Sequence, residues 1–133
     1  MTPYQAIGWT LLQASAVSAI VSERVWHGLR PEGDTLPCIN YYEIGGLRYN
    51  GMETQPYSIN CRAATAGGAR ALARVVITAL VGTCGTGMQG TNNGFDIARM
   101  SLRADQGLIP EPEGNVYNAP IDVQLVSSVD TVS

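Results

Sequence analysis

Apolar residues at helical spacing open the chain. Starting at Tyr4, they recur every three or four positions, which predicts a first helix over residues 3–14. Thr2 is placed to cap this helix, with Pro3 at its first position. Ser15 is placed to cap a short second helical segment that has its own apolar face. The chain is therefore expected to begin with two consecutive helical segments.

Five later segments have the patterns of strands, because they are rich in β-branched and aromatic residues or alternate between apolar and polar positions. They are residues 25–27, 38–44, 55–63, 95–103 and 120–127. The alternation predicts one buried face for the third and the last of them. The inward residues predicted there are Tyr57, Ile59, Cys61, Ala63, Ile121, Val123 and Leu125. Loops or turns are expected at residues 30–34, 47–54, 82–94 and 104–118.

A third helix has the clearest amphipathic pattern. Thr65 is its predicted cap, and Gly82 stands where a left-handed C-terminal cap is expected. Its predicted inward stripe is Ala69, Leu72, Ala73, Val76 and Leu80. Arg70, Arg74 and Thr78 line the opposite face.

The order of these segments predicts an α+β fold. Hairpin-length connections favour a mostly antiparallel sheet of about four to five strands, with two main helices packed on one face. Residues 1–133 are expected to form one domain, since neither an internal repeat nor a linker-like stretch divides them. The polar residues 127–133 are expected to form an extended or flexible C-terminal tail.

Charge is scarce in this sequence. Charged residues make up 14% of the chain and hydrophobic residues 45%, which suggests that part of the surface is covered by another polypeptide. All eight basic residues are arginine, a residue suited to protein interfaces, although a lineage preference for arginine explains the same observation. The net charge of −3 and the scattered arginines do not provide the basic stripe that grips nucleic acid.

The sequence offers little catalytic or metal-binding chemistry. Gly85 to Gly90 spell GxGxxG, but a helix precedes this motif and turn residues follow it, whereas dinucleotide binding needs a strand before and a helix after. His27 is the single histidine, and a structural role is expected for it. Cys38, Cys61 and Cys84 have neither zinc-site nor disulfide-framework spacing. The expectation is a protein that is not an enzyme and has no cofactor or metal.

Two further expectations concern acidic residues and membranes. Glu111 and Glu113 lie in a proline-flanked loop, where a pair of carboxylates is expected to be solvated. The most apolar stretch, residues 11–21, is interrupted by polar side chains and lacks a basic segment before it. Neither a signal peptide nor a membrane span is therefore expected, and folding in the cytoplasm is the default.

The ordered pattern of the chain resembles the tail-terminator or tail-completion proteins of long-tailed bacteriophages. The matching pieces are LLQASAVSAIVSERVWHGLRPEGDTLPCINYYEIGG, YSINCRAATAGGARALARVVITALVG, FDIARMSLRADQG and YNAPIDVQLV. They extend over roughly residues 4–126. The glycine-rich insert at residues 82–94 and the tip at residues 47–54 depart from the family pattern.

The resemblance implies a virion protein of the tail or neck, assembled in the host cytoplasm. It would form a ring, of six subunits, at the head-proximal end of the tail, end tube polymerisation and join the tail to the head. Its partners would be copies of itself, the tail-tube protein and the head-tail connector or neck protein, and DNA would pass through the lumen without specific binding. The alternatives are a neck protein on the portal side and, from a different class, a stand-alone binding module.

Five residues are the candidates for contacts with partners. Arg48, Tyr49 and Met52, at the tip, are assigned to a tail or neck partner, and Arg70 and Arg74 to the interface between subunits. An exposed loop and a solvated helix face are the respective alternatives.

Overall fold

The computed structural model describes residues 3–28, 35–44, 47–49, 52–82, 90–92, 95–105, 107–111 and 116–128. The helices in these ranges are α1 (Pro3–Gln13), α2 (Ser15–Val21) and α3 (Ala66–Leu80). The strands are β1 (Val25–His27), β2 (Cys38–Glu43), β3 (Leu47–Tyr49), β4 (Met52–Ala63), β5 (Gly90–Asn92), β6 (Phe95–Asp105), β7 (Ile109–Pro110) and β8 (Tyr117–Ser128).

The described strands form one sheet in the order β1-β2-β4-β8-β6-β5, and the short strands β3 and β7 add to β4 and β8. Strands β4 and β8 pair antiparallel along their full length, from Met52 opposite Ser128 to Ala63 opposite Tyr117. The pairing of β1 with β2 is parallel, and the other pairings are antiparallel. The α+β class with a mostly antiparallel sheet is therefore confirmed.

The core lies between the helices and one face of the sheet. Helix α3 packs on β4 and β8, while α1 packs on β1 and, together with α2, against α3. Every residue predicted to face inward is buried, in the two alternating strands and in the α3 stripe alike. Ile7, Leu11, Val17 and Val21 close the same core from α1 and α2. Fully burying each large aliphatic side chain contributes about 1.5–3 kcal/mol, which makes this shared core the main stabilising element.

Both ends of α3 have the predicted caps. The Thr65 hydroxyl accepts a hydrogen bond from the Gly68 amide at 3.0 Å. At the other end, Gly82 has a φ of +74°, which glycine adopts without steric cost. Its amide donates to the carbonyl of Ile77, so the helix ends there in a left-handed cap.

Three local predictions are corrected. Ser15 lies inside α2, and the cap position is Ala14, whose amide continues α1 while its carbonyl accepts from the first turn of α2. Residues 47–49 and 52–54, expected to belong to a hairpin tip, form a strand ladder in which Leu47 pairs with Thr54 and Tyr49 with Met52. Within the stretch expected to be a loop, Ile109 and Pro110 form β7, and β8 begins at Tyr117.

Several predictions fall wholly or partly outside the described residues. The Thr2 cap, the loop at residues 30–34, Cys84 and most of the GxGxxG motif lie there. Of the expected C-terminal tail, residues 127 and 128 are the end of β8, and residues 129–133 are outside the described ranges.

The Thr65 cap leads to a prediction about the stability that it gives to α3. Thr65→Ala removes the acceptor for the Gly68 amide and is expected to lower the free energy of unfolding by about 1 kcal/mol. Thr78→Ala is the matched control, because the exposed Thr78 hydroxyl bonds only the Arg74 carbonyl within the same helix. Urea denaturation of both variants measures the difference, and an equal loss in the two would contradict a capping role for Thr65.

Candidate assembly surfaces

The outer face of α3 places two arginines beside a cleft. Arg70 and Arg74, one helical turn apart, are both exposed, as the amphipathic pattern predicted. They line a cleft of about 290 Å³ together with Ala73, Ile77, Gly107 and Ala119. The cleft therefore combines an apolar floor with two positive charges.

These arginines have no carboxylate partner within the described part of the chain. The ion pair there joins Arg62 to Glu111, and Glu43 contacts His27. Two like charges spaced four residues apart on a helix destabilise it by a few tenths of a kcal/mol. Arg70 and Arg74 thus form a positive patch that no described carboxylate pairs with.

The other predicted contact residues lie far from this patch. Arg48 and Tyr49 are in β3, and Met52, which begins β4, pairs with Tyr49. Helix α3 starts just after the opposite end of β4. A 12-residue strand rises roughly 35 Å, so the two sets of residues belong to separate surfaces.

The sheet face that points away from the helices holds a polar network that the sequence did not predict. The guanidinium of Arg62 donates from Nε to Glu111 Oε1 at 2.5 Å and from Nη1 to Asn40 Oδ1. Asn40 Nδ2 in turn donates to the carbonyl of Gly28 at 3.0 Å. This corrects the expectation that Glu111 is solvated: its side chain is 15% exposed and pairs with Arg62.

Asparagines continue this network across the central strands. Asn118 Nδ2 donates to Asn60 Oδ1 at 2.8 Å, and both residues are buried, as is Asn40. A shallow pocket of about 570 Å³ lies over them and is also lined by Tyr42 and Arg62. The sequence placed Asn60 and Arg62 on the correct face. It could not show that neighbouring strands supply their hydrogen-bonding partners.

Apolar side chains are exposed near the β1 side of the molecule. On α1, Trp9 is 43% and Leu12 38% exposed. Leu12 also lines a second cleft, of about 520 Å³, with Gln13, Ser18, Ser22 and Glu23 at the end of α2. This surface combines apolar groups with one exposed carboxylate.

Other chemistry in the described residues is limited. Cys38 and Cys61 are buried, free thiols. Among the described side chains, no group of three His, Cys, Asp or Glu residues could hold a metal ion. His27 contacts Glu43 and lies with its ring centroid 5.3 Å from that of Tyr41. Of the described helices, none combines the length and the hydropathy needed to span a membrane.

Comparison with solved structures identifies a shared fold. A chain from the virion of a native gene transfer agent particle superposes with a TM-score of 0.69, covering 95% of this chain and 94% of that one. The two sequences are 13% identical. Comparisons with protein-family models and with curated proteins give no match.

The hydrogen bonds of Arg62 lead to a prediction about the free energy of unfolding. Arg62→Leu leaves Glu111 and Asn40 without their partner in a half-buried site, and is expected to lower the free energy of unfolding by about 2–3 kcal/mol. Arg70→Leu is the control, because it removes an exposed guanidinium that has no partner in the described chain. Urea denaturation measures both, and equal losses would show that the network contributes nothing specific.

Proposed function

We propose that this protein is a structural subunit of a phage-type virion. The observation that carries the proposal is the fold shared with a gene transfer agent virion chain over nearly the whole of both chains. A likeness confined to one element pair would say little, whereas a TM-score of 0.69 over nearly the full length of both chains is a likeness of the whole fold. The sequence pattern independently resembles a family from phage particles.

The finer role proposed is that of a ring at the head-proximal end of the tail. There the ring ends tail-tube polymerisation and joins the tail to the head. A six-membered ring needs two different surfaces on each subunit that meet head to tail. The chain has two such candidates, the arginine cleft of α3 and the partly apolar cleft at the end of α2.

The partners follow from this placement. The β3–β4 hairpin, with Arg48, Tyr49 and Met52, is assigned to the tail-tube or neck protein, since it lies at the end of the sheet opposite the start of α3. DNA passes through the lumen without specific binding, in keeping with a chain whose net charge is −3. The role is structural, with neither catalysis nor a cofactor.

Particles assembled without this protein test the role. If the ring ends polymerisation, tail tubes made in its absence are expected to grow past their normal length and to remain detached from heads. Electron microscopy of lysates from a deletion strain measures tube length directly. Expression of the protein from a plasmid is the control and is expected to restore tube length and attachment.

Two other outcomes would reject this role. Tubes of normal length that fail to join heads would favour a neck protein on the portal side. Normal, infective particles without the protein would exclude an essential structural role and favour a stand-alone binding module.

A further inference from the structure

We infer that neighbouring subunits are joined by ion pairs between Arg70 and Arg74 of one copy and Glu23 of the next. The inference rests on the proposed self-assembly and names the groups that form the contact. The groups concerned are charged side chains that have no ion pair within the described part of one chain.

The carboxylates with described side chains are Glu23, Glu43, Glu111 and Asp122. Glu43 pairs with His27 and Glu111 with Arg62, while Asp122 has an interaction elsewhere in the chain. Glu23 is exposed and has no cation within ion-pair distance in the described chain. Among these four groups it is the acid available to a partner.

The neighbouring Arg24 directs its hydrogen bonds to the backbone and forms none with Glu23. Its guanidinium donates from Nε to the carbonyl of Pro37 at 2.8 Å and from Nη2 to the carbonyl of Ile20 at 3.4 Å. Arg24 is thereby held half-buried against the backbone. The end of α2 consequently presents a carboxylate without an ion pair in the described chain, in the same cleft as the exposed Leu12.

The two charged clefts lie on opposite sides of the molecule. The arginine cleft includes Ala119 of β8 and Gly107, which follows β6, so it opens on the β6 side of α3. Glu23 lies between α2 and β1, and β1 is at the opposite edge of the sheet. Four strand spacings, roughly 19 Å, separate β1 from β6 across the sheet, and in the described chain Glu23 forms no ion pair with either arginine.

Opposite charges on opposite sides favour a head-to-tail contact. In such a heterologous interface, the arginine cleft of one copy binds the Glu23 cleft of the next copy. An open assembly therefore keeps one unoccupied cleft at each end, and closure into a ring occupies both. Each contact would place a carboxylate beside two guanidiniums over an apolar floor, where charge-assisted hydrogen bonds are strong. The occupant of the arginine cleft is thus the Glu23 region of a second copy.

A charge exchange tests this pairing. R70E/R74E and E23R are each expected to weaken self-association by at least about tenfold, because each places like charges in contact. An equimolar mixture of the two variants is expected to assemble again, in alternation, since every contact then joins opposite charges. Sedimentation velocity of each variant and of the mixture measures this, and R70K/R74K is the control that keeps the charge and is expected to keep the assembly.

Each result has a distinct meaning. Wild-type assembly that R70E/R74E and E23R leave intact, or variants that fail alone and remain apart when mixed, would overturn the pairing but not the ring. A wild-type protein that stays monomeric at every concentration and salt level would overturn the pairing together with the proposed self-assembly. Thermal melting of the variants, which alter exposed side chains, is expected to match that of the wild type.

Discussion

The structure depends on the burial of one face of the β4–β8 pair beneath α3. These two strands pair over their full length, and α3 packs on both. The remaining strands extend the sheet outward from this pair, with β2 and β1 on one side and β6 and β5 on the other. Because the inward stripe of α3 fixes its rotation on the sheet, the same contact determines that Arg70 and Arg74 face outward.

Much of this arrangement follows from local patterns in the sequence. The alternation in β4 and β8 and the period of α3 identify the core, since burial on one face imposes those periods. The pairing of β3 with β4 does not follow from local patterns, because the register that places Leu47 opposite Thr54 is not determined by composition. Ser15 has the preferred residue type for a cap, but the continuation of α1 through Ala14 moved the junction one residue earlier.

The polar network on the other sheet face could not be predicted, because its members come from distant parts of the chain. Arg62 and Glu111 are 49 residues apart and meet only when β4, β7 and β8 are aligned. The same alignment brings Asn118 to Asn60. The candidate site on α3 was predictable from periodicity, whereas its cleft was not, because Gly107 and Ala119 contribute to it from other segments.

The charged side chains fall into two groups, those that stabilise the fold and those proposed to contact neighbouring copies. In a chain with few charged residues, Arg62 and Glu111 stabilise the fold from a half-buried position, and Arg24 is bonded to the backbone. The charges left exposed and uncompensated in the described chain lie on two separate sides, Arg70 and Arg74 on one and Glu23 on the other. The proposed head-to-tail contact would bring these two sides of neighbouring copies together.

Hydrogen–deuterium exchange of the isolated chain and of the assembled particle tests this central claim most directly. The account predicts that assembly slows exchange at α3 around Arg70 and Arg74 and at the junction of α2 with β1. Exchange in the buried centres of β4 and β8 is expected to stay unchanged. Unaltered exchange at both clefts in the assembled particle would contradict the claim that these surfaces are covered by neighbouring copies.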